Sequence, residues 1–120
     1  MDVGSIEESK YIPEWCGNKE DPEPIEMILQ PLAGGQQRRC MEVTIVDGET
    51  VVTPNWEQYC LFGIKSIEGM TQKGRPIATA RDLIMCKARR IDELILEVGM
   101  EIMMRNRTPD LGNSEKPSAG

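Results

Sequence analysis

Apolar residues recur at steps of four and three through Ile84, Ala88, Ile91, Ile95, Val98 and Ile102, which puts them on one face of a helix turning about 100° per residue. The pattern predicts helix from Thr79 to Arg105, and fits both one unbroken helix and a break near Cys86 to Arg89. Thr79 with Asp82 three residues on has the form of an N-terminal capping box. Arg105 and Arg107 suit the C-terminal end, and Pro109 stops the helix. A second apolar set, Met85, Leu96, Met100, Met103 and Met104, falls on the opposite side, with Glu93, Glu97 and Glu101 as a polar ridge between the two. A helix apolar on two faces needs two covers, one from its own chain and one from more of the chain or a partner.

Upstream the period changes to two. Met41 to Val46 and Glu49 to Thr53 alternate across Asp47-Gly48, which predicts a hairpin with a tight turn, closed at Pro54. Ile25 to Leu32 reads as an edge strand with Ile25, Met27 and Leu29 on one face. The segment around Gly34, Gly35, Arg38 and Arg39 reads as a loop, because no phosphate-loop spacing accompanies it. Trp56 to Met70 fits both periods. Gly63 weighs against helix there, so a strand is expected over Tyr59 to Ile67, with a possible helical turn at Asn55 to Gln58 before it. Lys73-Gly74 marks a further turn. These elements make an α+β domain over residues 11–107: a small antiparallel sheet of three to four strands packed on the C-terminal helix. Residues 1–10 and 108–120, polar and poor in large apolar groups, are expected to be flexible termini.

The charge balance, 14 basic against 20 acidic residues for a net −6, disfavours nucleic acid as a partner. No apolar run reaches the ~20 residues that cross a bilayer. The opening MDVGSIEESK lacks the features of a signal peptide. No membrane partner is expected, and the anticipated location is the cytoplasm. The chain has no histidine, so His-based triads and most zinc sites are ruled out. Cys16, Cys40, Cys60 and Cys86 are too far apart in sequence for a CxxC site, and reduced thiols are expected. The carboxylate pairs Asp92-Glu93 and Asp47 with Glu49 are not placed for acid–base work. No catalytic, cofactor-binding or metal-binding residue is expected, and no cofactor.

What remains is binding. The flexible methionines of the second helix face form the kind of surface that adapts to partners. Trp15 either anchors the segment before Gly17 to the body or faces a partner. Trp15, Leu96, Met100, Met103 and Met104 are the candidate partner-binding residues, and a homo-oligomer is one way to cover them.

Three stretches carry a resemblance. Tyr11-Ile12-Pro13-Glu14-Trp15 with Gly17-Asn18 precedes an acid- and proline-rich run, and Ile64-Lys65-Ser66-Ile67-Glu68 leads to Gly74 and the Thr79-capped helix. Leu111-Gly112-Asn113-Ser114 opens a Pro- and Ser-containing end. Together they resemble small proteins encoded in tailed-phage tail gene clusters near the tape-measure gene, taken to be tail assembly chaperones. The resemblance implies a non-enzymatic protein of the host cytoplasm. It would bind the tape-measure protein, tail subunits or both during tail morphogenesis. The Asp47-Gly48 hairpin and the four cysteines depart from that pattern, and they leave the alternative of a structural virion protein, such as a head-tail connector or tail accessory subunit.

Overall fold

The computed structural model describes residues 1–4 and 7–106. The expected terminal segment 108–120, with Arg107 and the helix stop at Pro109, lies outside the described residues. β1 (Ser9–Tyr11) leads into a short 3-10 segment, Trp15–Glu20, and then β2 (Glu26–Leu29). β1 reaches back into the stretch assigned to the N-terminal arm, because Ser9 and Lys10 pair with Leu29 and Ile28. Between these strands the buried Asn18 side chain ties the turn together. Its amide donates to the carbonyls of Pro13 and Ile25 at 2.9 and 3.0 Å, and its oxygen accepts from the Ile25 N–H at 2.7 Å.

Gly34 to Arg39 is α1, a helix where a loop was expected. The Gln36 side chain accepts the Ala33 N–H at 2.9 Å. The two glycines occupy only the first turn, and Gln37, Arg38 and Arg39 are good helix formers with their charge at the favourable C-terminal end. β3 (Met41–Val46) and β4 (Glu49–Pro54) form the expected hairpin, with Val43 opposite Val52 and Ile45 opposite Thr50. Positive φ at Asp47 and Gly48 gives its turn the twist that suits two antiparallel strands.

α2 (Trp56–Gly63) replaces the strand expected from Tyr59, and the chain becomes extended only at β5 (Ile64–Glu68). Asn55 caps α2 by accepting the Gln58 N–H. Tyr59, Cys60 and Gly63 are its buried residues, at helical spacing. Gly63, read as an obstacle to helix, is needed for packing, since a Cβ there would lie 2.5 Å from Ile102 Cγ2. β6 (Thr71–Gln72) and β7 (Arg75–Pro76) make a small second hairpin around Lys73-Gly74.

The expected long helix is divided into α3 (Ala80–Met85) and α4 (Ile91–Arg105). Thr79 and Asp82 form the expected capping box. Three features mark the break. The Lys87 N–H is taken by the Gln72 side chain at 3.4 Å, Cys86 is extended, and Arg90 adopts a left-handed φ of 64° just before α4.

The fold is α+β, with one three-stranded antiparallel sheet in the order β1-β2-β5 and two separate hairpins. α4 runs chiefly along α2. One core joins the inner faces of sheet and helices, with Met27, Leu83, Leu94, Val98 and Ile102 almost wholly removed from water. Of the predicted stripe, Ile95, Val98 and Ile102 are buried, while Ile84, Ala88 and Ile91 sit half-buried at its margin. Leu83 and Leu94 complete it. The expectation that all strands pack on this stripe fails for β3–β4, whose residues from Met41 to Thr53 are all exposed.

Candidate functional site

The inner and outer faces of α4 are fixed by its contact with α2. A Cβ at Gly99 would lie 3.1 Å from Trp56, so that glycine, like Gly63, lets the two helices approach closely. With Leu94, Val98 and Ile102 turned inward, Leu96, Met100 and Met104 emerge as a ridge at four-residue steps, all three exposed. Met103, grouped with them from sequence, instead packs half-buried against the core.

The flank of the ridge is acidic but largely engaged. Glu97 accepts the Tyr11 hydroxyl at 2.5 Å and the Glu14 N–H at 2.7 Å. Burial first, then this carboxylate, pushes the Tyr11 phenol well above its ordinary value. Glu101 pairs with Arg105 at 2.7 Å and Glu93 with Arg90 at 2.6 Å. Trp15 is an anchor. It is half-buried against the core, and its indole N–H donates to the Arg90 carbonyl at 2.9 Å. The arm from Tyr11 to Trp15, including the buried Pro13, is thus clasped to α4 at two points.

At its N-terminal end the ridge opens onto a groove at the base of the β3–β4 hairpin, lined by Glu42, Pro54, Trp56, Asp92, Ile95 and Leu96. Its lining sets the acidic Glu42, Glu57 and Asp92 beside the apolar Pro54, Trp56, Ile95 and Leu96. The hairpin beyond it was legible as a hairpin but not as an exposed one. Val43 and Ile45 are 65% and 75% exposed, more than any residue of the α4 ridge. The missed signal is the one-residue connection from Pro54 to α2, too short to fold the ribbon back over the core.

Among the described residues, no group of three Cys, Asp or Glu side chains is placed to hold a metal ion. The four cysteines are unpaired. Burial raises the Cys40 thiol above its ordinary value, and burial, then Glu57 and Cys40, pushes Cys60 up to about 12. Cys86 is buried and Cys16 exposed. No described helix is long and apolar enough to cross a membrane. Compared with known proteins, the chain matches no family model, no curated protein and no solved structure.

Proposed function

We propose that the protein is a phage tail assembly chaperone, acting in the host cytoplasm by holding an apolar helix of the tape-measure protein along α4. The observation that carries this reading is the exposed Leu96-Met100-Met104 ridge, continuous with the groove at Trp56 and Ile95. Residues at four-step spacing form a ridge suited to the groove of another helix. The methionines adjust to side chains of different shape. Covering the ridge gains about 25 cal/mol for each Å² of apolar surface removed from water, which suits reversible holding rather than permanent assembly. The acids lining the groove favour a partner helix with lysine or arginine beside its apolar stripe.

The test is co-expression with the tape-measure protein and affinity capture. Met100→Glu with Met104→Glu is expected to abolish capture, with the far-ultraviolet circular dichroism unchanged because both side chains are exposed. Undiminished capture would remove α4 from the interface.

A second reading, a structural subunit that remains in the virion, draws support from the exposed β3–β4 hairpin, whose Val43, Ile45 and Val52 stand in water. Mass spectrometry of purified virions separates the two, since a chaperone is absent from the particle and a subunit is present.

A further inference from the structure

We propose that the helix held on α4 lies antiparallel to it, with lysine or arginine of its own last turn seated among Glu42, Glu57 and Asp92. The inference rests on the proposed function and gives the partner a direction and a charge pattern. Asp92 precedes Leu96, Met100 and Met104 by the same four-residue step, so the exposed ridge begins on a carboxylate and is apolar beyond it. At about 1.5 Å per residue the line from Asp92 to Met104 is about 18 Å long, room for about three turns of a partner helix.

Unpaired negative charge gathers at the first end of this line. Glu42 comes from β3, Glu57 from the first turn of α2 and Asp92 from the first turn of α4, and all three line the groove beside Trp56 and Leu96. Among the described residues none of the three forms an ion pair, and no lysine or arginine lines the groove. The Asn55 side chain donates to Glu42 at 2.7 Å and holds that carboxylate in place. First-turn acids also steady their own helices, but Glu42, on a strand, gains nothing from a helix dipole. Further along α4 the acids are engaged, Glu97 by Tyr11 and the Glu14 N–H, Glu101 by Arg105. The half-buried Trp56 ring adds a surface on which a guanidinium or ammonium group can rest.

Direction follows from where a helix carries cations at least cost. Lysine and arginine are favoured in the last turn of a helix and disfavoured in the first. A partner that meets the groove with its last turn runs opposite to α4. Laid parallel, it would bring bases to the groove from its first turn, against its own dipole. The antiparallel arrangement also sets the two helix dipoles head to tail. Apolar surface alone selects no direction, so the choice falls to the charges.

Two synthetic peptides, titrated against the full chain by fluorescence anisotropy, test it. They share one composition and one leucine stripe over about three turns, and a hydrocarbon staple on the far side holds each helical. One carries its arginines in the last turn, the other in the first. The peptide with the basic last turn is expected to bind about tenfold more tightly, a preference that shrinks as salt is raised. A photoreactive residue at its C-terminal end should mark the chain near Leu96 and not near Met104. Glu57→Gln with Asp92→Asn should erase the preference. Glu42 stays in that variant because it holds Asn55, the α2 cap. Glu23→Gln with Glu68→Gln, the same loss of charge outside the groove, should leave the preference unchanged. Equal affinities, binding of neither peptide, marking at Met104, or a preference that survives the groove variant would overturn the proposal. Capture of the tape-measure protein judges the proposed function separately. Capture that depends on Met100 and Met104, with the two peptides bound equally, would remove the direction and leave that function standing.

Discussion

The β3–β4 hairpin and the inner face of α4 carry much the same side chains, valine and isoleucine at regular spacing, and meet opposite fates. Val98 and Ile102 are sealed from water, while Val43 and Ile45 stand in it. The difference lies in what each segment can reach. α4 finds α2 beside it, with Gly63 and Gly99 removing the side chains that would hold the helices apart. The hairpin has one residue between it and α2, and its two strands satisfy each other's backbone without approaching the core. Hydrophobic pattern alone decides which face of an element is apolar. Connectivity and the room left by small residues decide whether that face is covered within the chain.

Truncation on the two sides measures this contrast. Leu94→Ala, in the sealed interior, is expected to cost about 3 kcal/mol. At roughly 4–8 °C per kcal/mol for a domain of this size, thermal unfolding followed by circular dichroism should show a midpoint lowered by more than 10 °C. Gly63→Ala comes next. The added methyl meets Ile102, whose branched side chain has little freedom to turn aside, and the expected loss is about 1–3 kcal/mol by urea denaturation. Stability equal to the wild type would mean that the close approach of α2 and α4 is dispensable.

Thr79→Ala should cost about 1 kcal/mol by removing the α3 cap. Asp82 contributes to the same cap with a pH signature. Hydrogen bonds, first from the Ala78 N–H and then from Thr79, hold its carboxyl below its ordinary value. A carboxyl lowered on folding stabilises the fold above its unfolded pKa of about 4, and that contribution fades as pH falls through the folded value. The gap in stability between the wild type and Asp82→Asn should therefore narrow in acid and be full at neutral pH. The smallest effect is expected for Ile45→Ser, within about 0.5 kcal/mol in dilute monomer. A loss comparable to that of Leu94→Ala would erase the contrast and place the hairpin in the folding unit.

The features readable in the sequence are those set by neighbours along the chain. The Thr79 cap, both tight turns, the pairing at Asp47-Gly48 and the inward side of α4 each depend on residues a few positions apart. What escaped depends on contacts between distant segments. Gly63 argues against helix when considered alone, and only Ile102 on α4 makes it useful. At the division between α3 and α4, the Gln72 side chain from β6 takes the Lys87 N–H that a continuous helix would bond to the carbonyl four residues back. Met103 left the outer set because the helix rotates it toward the core. Of the candidate site, Leu96, Met100 and Met104 are exposed as the pattern implied, and Trp15 is an anchor.

The cysteines give the molecule a built-in unfolding clock. An alkylating reagent attacks thiolate, and the folded chain offers it Cys16 readily while Cys40 and Cys60 are both shielded and held protonated. Mass added to the chain in a timed pulse would thus count open molecules one by one, and a partner seated on α4 or on the hairpin would register as a slowing of that count.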